Sequence, residues 1–221
     1  MDLTDFIKDF DKTIDSAMSW ATDHGGLLFD LVRAALEGFF DLVTSGLLLL
    51  PYWAVALVAG AIAARSLGWK AGIATAAGLT FCQMMDLWSE TVETMCLVLV
   101  SVLLAILIGA PLGILAGYRP RLSQSIDPVL DLIQTLPPYI YLLPSIAFLG
   151  YGPATAIAAT VIVSVPPVIR LVAHGFRSTP VEFVELGEAT GTAPRDAFLK
   201  IRLPFALPSI MAGVNQSLMM A

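Results

Sequence analysis

Residues 184–204 read VELGEATGTAPRDAFLKIRLP and hold the densest set of placed charges in this chain. Three carboxylates (Glu185, Glu188, Asp196) and three bases (Arg195, Lys200, Arg202) are punctuated by Gly187, Gly191 and Pro194. Bond-making chemistry would need more than this. An enzyme working inside a membrane would require a buried Ser/His couple, an aspartate pair or a metal cluster, and the only histidines, His24 and His174, fall at a turn and in a loop. Cys82 and Cys96 lie in apolar surroundings and read as small buried hydrophobes rather than as metal ligands or a disulfide. No G-x4-G-K-[ST] phosphate loop occurs, so any energy for transport must come from a partner or a gradient. The chemistry left to the charged segment is docking.

The elements around that segment are greasy. Hydrophobic residues make up 57% of the 221 and charged ones 14%, with a mean hydropathy of +0.80. Soluble domains carry about 25% charged residues, so the deficit moves the class to membrane protein. The net charge of −6, with no basic arm, argues against nucleic acid as a partner. A bilayer core of about 30 Å needs about 20 apolar residues per helix. Charge-free runs predict six crossings. They are residues 44–64, a shorter run at 71–85, residues 94–118, two spans within 132–169 divided at LGYGP (149–153), and residues 203–221. With the amino terminus outside, nine of the twelve bases fall in inner loops, and the outer loop DLWSETVE (86–93) has none.

The first 45 residues are not a signal peptide, because they open on Asp2 and Asp5 rather than on bases. Phe6, Phe10, Ile14, Ala17 and Ala21 recur at helical spacing. After Gly25-Gly26 a second helix is predicted, with Asp30, Arg33, Glu37, Asp41 and Thr44 as one polar stripe. Such a helix either lies in the membrane interface with its stripe toward water or packs on neighbouring spans. Within the third span Ala105, Gly109, Gly113 and Gly117 recur every four residues and predict close helix packing. LIQTLPPYIYLLP (132–144) has three prolines, expected to kink its helix, and places Gln134, Thr135, Pro137, Tyr139 and Tyr141 at one depth. These residues read either as part of a translocation path, with Asn215 from the last span, or as interfacial anchors and interhelical bonds. Pro166-Pro167 is a candidate hinge.

Nine charged or titratable residues between His174 and Arg202 cannot sit in hydrocarbon, where each Asp, Lys or Arg costs about 2.5–3.5 kcal/mol. Pro180 can open a helix whose positive end favours Glu182 and Glu185, and Gly191 can end it. Thr192 and Pro194 can start a second helix, running to about Arg202. Two short helices held between spans make a docking element.

These residues resemble a family. Glu185-x5-Gly191-x9-Ile201-x-Leu203-Pro204 is similar to the EAA loop of ABC importer permeases, with Leu186-Gly187 where many members carry two alanines. LIQTLPPYIYLLP, SVPPVIRLVAHGFRSTP and LPFALPSIMAGVNQSLMMA resemble the glycine betaine, proline betaine and choline subfamily, a likeness running from about residue 47 to the last. It implies an all-α polytopic fold of the type I importer kind in the bacterial inner membrane. Residues 46–221 would form the transmembrane domain, with the coupling loop at 177–203. The implied partners are cytoplasmic P-loop ATPases carrying ATP and magnesium, an external substrate-binding protein, a second permease copy and membrane lipid, with no cofactor or enzymatic activity in this chain. Glu185, Gly187, Glu188, Ala189, Thr190 and Gly191 would contact the ATPase, while Ile201, Leu203 and Pro204 tie the loop to the next span. Family members continue beyond the helix containing Asn215, so an end inside an apolar run looks truncated. The same loop also occurs in importers of amino acids and sulfonates. A gradient-driven transporter is disfavoured, since it would carry ionisable groups within its spans.

Overall fold

The computed structural model describes the backbone of residues 3–221, with side chains for Lys12, Thr13, Ser16, Ser19 and from His24 onward. Every described regular element is helical. The first helix, α1 (Leu3–Leu48), is continuous through Gly25 and Gly26, so the break expected there does not occur. Two glycines lower helix propensity by about 1 kcal/mol each, and the long apolar-patterned segments on both sides outweigh that cost. The apolar stripe expected from Phe6 to Ala21 lies outside the described side chains. The polar stripe does not lie uniformly toward solvent: Thr44 is 7% exposed, whereas Leu27, Leu28, Leu31 and Leu42 are open.

The chain forms two compact units, one of residues 34–100 and one of residues 101–221 with α1 up to Arg33. In the smaller unit α2 (Tyr52–Leu67) and α3 (Trp69–Met84) make a hairpin around Gly68, whose φ of 100° suits glycine. Its helices touch through small residues. A Cβ on Gly72 would stand 2.5 Å from the Ala64 Cβ and 2.7 Å from the Gly60 carbonyl oxygen. Residues 44–64 are not one helix. The chain breaks before Pro51, and the segment 24–48 meets α2 at 97°. Proline supplies no N–H to the helix before it and biases its predecessor to extended backbone, which explains the site of the break. At 16 residues, α3 is about 24 Å long and shorter than a bilayer core.

The helix α4 (Trp88–Tyr118) begins within the expected outer loop, which is thus mostly its first turns. From Ser101 on it belongs to the larger unit, with α5 (Pro120–Thr135), α6 (Tyr139–Leu149), α7 (Pro153–Arg177), α8 (Val181–Ala189) and α9 (Pro194–Met220). The glycine stripe on α4 meets α7. Cβ atoms placed on Gly109, Gly113 and Gly117 would stand 2.9, 2.7 and 2.9 Å from the Cβ atoms of Val168, Val172 and Phe176. Both series advance in the same direction, so α4 and α7 run parallel in close contact. On the other side of α7, a Cβ on Gly175 would stand 2.9 Å from the Ala206 carbonyl oxygen, and Gly213 faces Leu171, so α7 and α9 are antiparallel. Val168, Val172, Phe176 and Ala206 form the core where these three helices meet.

Residues 132–149 break completely at Leu136–Pro138 instead of kinking, and α5 and α6 cross at 99°. Two consecutive prolines leave two backbone N–H groups missing at one turn, more than a kink absorbs. The turn expected at 149–153 is present, with Gly150 and Gly152 at φ 72° and 150°. Among the described residues three helices, α4, α7 and α9, are long and apolar enough to cross a membrane, and up to five crossings result if each bent pair is one span. The six expected from apolar run lengths are not all single helices, because run length does not register proline breaks.

Candidate functional site

The charged segment folds as expected in its first half. Pro180 precedes α8, which ends at Ala189, and Gly191 adopts φ 67° just beyond the Thr190 cap. The Thr190 N–H donates to the Leu186 carbonyl and the Thr190 hydroxyl lies 2.9 Å from the same oxygen, closing the last turn. The second half differs. The helix opened by Pro194 does not stop at Arg202 but runs through a π-helical stretch (Ala197–Arg202) into the final span. Within that stretch the backbone hydrogen bonds span one residue more than in an α-helix. His174, expected in the loop, still belongs to α7.

One short helix is therefore held against the base of a span. Gly187 is buried and faces Ile201, whose Cδ1 would stand 2.8 Å from a Cβ at that position. The Thr192 N–H donates to the Gly187 carbonyl at 2.9 Å, and Phe183 packs on Phe205 with ring centroids 5.0 Å apart. A small pocket of about 90 Å³ remains between Val184, Gly187, Glu188, Thr192, Ala197 and Ile201. Below the joint, Phe198 stacks on Phe176 at 5.4 Å and the Arg202 guanidinium lies 4.7 Å above the Tyr118 ring. Such cation–π contacts contribute about 0.5–1 kcal/mol when exposed.

The surface turned outward is mixed. Glu182, Glu185, Glu188 and Ala189 are exposed, as is Leu186 at 59%. Leu186, the departure from the two-alanine pattern, thus lies on the open face, while the required small residue is Gly187 on the inner one. Leu203 and Pro204 lie in α9 where the rod begins its span, with Leu203 packed on the core.

The residues expected along a path are not gathered in one place. Tyr139 is 83% exposed and, with Pro138 and Leu142, lines a cleft of about 340 Å³ against Ala156, Ala159, Thr160 and Val163 of α7. Tyr141 instead donates to the Ile133 carbonyl at 3.0 Å, bridging the α5–α6 break, and the Thr135 hydroxyl returns to the Leu132 carbonyl. Asn215 approaches the Met219 sulfur at 4.0 Å. Gln134, Thr135, Pro137, Tyr141 and Asn215 do not line the cleft.

Sequence reasoning missed a polar contact between α5 and α7. Arg170 donates to Asp131 Oδ1 at 2.5 Å and to the Asp127 carbonyl at 3.3 Å. The Arg177 Nη1 donates to the Ser123 hydroxyl at 3.2 Å, which donates in turn to Asp127 Oδ2 at 3.1 Å. The signal was available: Ser123, Asp127 and Asp131 share one helical face, as do Arg170 and Arg177. Among the described residues no group of three or more His, Cys, Asp or Glu is placed to hold a metal.

The described helices thus build a membrane scaffold that presents a short acidic helix clamped to the base of a span. Residues 109–221 match the family described as binding-protein-dependent transport system inner membrane component, and the chain belongs to that family. It is 35% identical over 211 residues to the glycine betaine/proline betaine transport system permease protein of Escherichia coli, covering 96% of this chain and 60% of that protein. Against the glycine betaine transport system permease protein of Bacillus subtilis the identity is 33% over 208 residues, with 94% and 74% covered. The glycine betaine/carnitine transport permease protein of Listeria monocytogenes is 36% identical over 200 residues, with 84% and 71% covered. The chain thus spans 60% of the length of its Escherichia coli relative.

Proposed function

We propose that this chain is the permease subunit of an ATP-driven importer for a quaternary ammonium osmolyte or a related methylated amine. The α8 helix would be the contact for a cytoplasmic P-loop ATPase, which would hold ATP and magnesium. An external binding protein would deliver the substrate to a pair of permease copies. The observation that carries the reading is the joint between α8 and α9. A helix of nine residues, exposed on its acidic face and locked by Gly187, Ile201, Phe183 and Phe205 to a continuous 27-residue rod, can pass a push from a partner into the membrane. The relatives named for glycine betaine, proline betaine and carnitine support the substrate class.

In this reading Glu185, Glu188, Ala189, Thr190 and Gly191 meet the ATPase, Gly187 sets the joint, and Ile201, Leu203 and Pro204 carry the load. Residues 46–221 form the transmembrane domain and the earlier residues an accessory helix. The cleft beside Tyr139 is the candidate for the substrate path, and Tyr141 braces it. The amino terminus would lie outside, a reading supported by exposed Arg65 and Lys70 at the α2–α3 turn, which favour a hairpin tip reaching the inner water phase. The test is uptake of labelled glycine betaine, proline betaine and choline by cells lacking their own betaine importers. The cells would express the complete transporter with and without its ATPase. Uptake of at least one that needs the ATPase supports the reading, whereas uptake that persists without it and follows an ion gradient refutes it.

A further inference from the structure

We infer that Arg170 and Arg177 are positioning residues that carry movement of α8 to the broken α5–α6 pair and so set the cleft beside Tyr139. The inference deepens the proposed function and rests on it. It begins where α8 joins α7. Arg177 is the last residue of α7, and only Ser178, Thr179 and Pro180 separate it from α8. That connection is tied back to α7: the Ser178 hydroxyl donates to the His174 carbonyl at 2.8 Å and the Thr179 hydroxyl to the Phe176 carbonyl at 3.2 Å. A displaced α8 therefore pulls on the end of α7 directly.

The two arginines lie on one face of that end and hold α5 at three points. Ser123 is 2% exposed, and its hydroxyl accepts from Arg177 while donating to Asp127, so both of its capacities are used. Arg170 reaches one turn further along, to the Asp127 carbonyl and the Asp131 carboxylate. The clamp is half-open to water, with Asp131 65% and Arg170 35% exposed. Ion pairs of that exposure add little to stability, about 0–1 kcal/mol, so folding alone does not require this one. An interaction that is weak yet bridges two helices suits a contact that must yield and re-form.

Beyond the clamp, α5 is bolted to α6 by Tyr141, whose hydroxyl donates across the break to Ile133. Two residues before it, Tyr139 lines the cleft against α7. The line runs from α8 through the end of α7, the arginine clamp, α5 and the Tyr141 bolt to the cleft wall. The proline break lets α6 turn as α5 moves, because no backbone ladder crosses it.

The experiment compares Arg170→Ala, Asp131→Ala, the double variant and the exchanged pair Arg170→Asp/Asp131→Arg in the complete transporter reconstituted in lipid. Glycine betaine transported per ATP hydrolysed is the quantity read. The expected result is a fall of up to about fivefold in each single variant with ATPase turnover kept, the most that a contact of about 1 kcal/mol can carry. The double variant should be no worse than the singles and the exchange should recover most of the ratio. Unchanged singles, or losses that multiply in the double, would overturn the inference. A second readout does not depend on transport. Amide hydrogen exchange of the purified full-length protein should quicken over residues 136–149 in Arg170→Ala and stay constant over residues 203–215, which do not line the cleft. Equal exchange over 136–149 overturns the clamp whatever the uptake shows. Absence of ATP-dependent uptake by the wild type, with the exchange difference present, instead counts against the proposed function.

Discussion

Replacing Gly187 by Ala should loosen α8 from the span beneath it, and the size of the effect follows from one distance. A Cβ at that position stands 2.8 Å from Ile201 Cδ1, whereas carbon atoms in contact prefer about 3.5–4.0 Å. About 1 Å of relief is needed. The offending atom is the end of a flexible side chain, so Ile201 can yield by leaving its rotamer, at about 0.5–1.5 kcal/mol. If that strain weighs on the docked position of α8, the affinity for the ATPase falls about fivefold for 1 kcal/mol. Ile201→Val removes the clashing carbon. It costs about 0.5–1.5 kcal/mol alone, but in the double variant it should restore binding nearly to the Ile201→Val level. The assay is titration of detergent-solubilised permease with its purified ATPase for the four proteins of this cycle. Simple addition of the two single effects would refute the packing argument, since the clash exists only when both side chains are present.

Three further outcomes follow from the backbone and the helix contacts. Gly191→Ala forces a side chain into φ 67° and should weaken ATPase binding by about 1–2 kcal/mol, with Gly191→Asn milder because asparagine tolerates this conformation better. In α4, Gly113→Val should lower the melting temperature of the detergent complex through overpacking of about 1–3 kcal/mol, because the Ile169 carbonyl oxygen at 2.8 Å from the new Cβ cannot rotate away. Gly78→Ala serves as the matched control: nothing lies within 4 Å of that Cβ, and the same melting measurement should show no loss.

The sequence made different parts of this architecture legible to different degrees, for physical reasons. The stripe from Ala105 to Gly117 announced close packing because only small residues leave room for another backbone, and α7 fills that room. Pro180 and Gly191 marked the ends of α8 because their backbone preferences act locally. The presence of a local signal was easier to read than its strength. Gly25-Gly26 looked like a break and is helix, whereas Pro137-Pro138 looked like a kink and is a full break. The helix after Pro194 runs on although Pro204 stands two residues beyond Arg202: the missing N–H falls where the π-helical stretch gives way to the α-helical span. The clamp of Arg170 and Arg177 on α5 went unread because its partners are 39 to 54 residues apart in sequence: each of the two polar helix faces was legible, but nothing local pairs one with the other.

The central claim is that α8 meets an ATPase through its acidic outer face. Its most direct measurement is purification of the tagged full-length permease, expressed with its ATPase partner, in wild-type and Glu185→Lys forms. Stoichiometric recovery of the ATPase is expected with the wild type. With the variant a loss of at least about tenfold should follow, the order expected when a contacting carboxylate is reversed in sign. Equal recovery with both forms, from proteins of equal monodispersity, would contradict the claim.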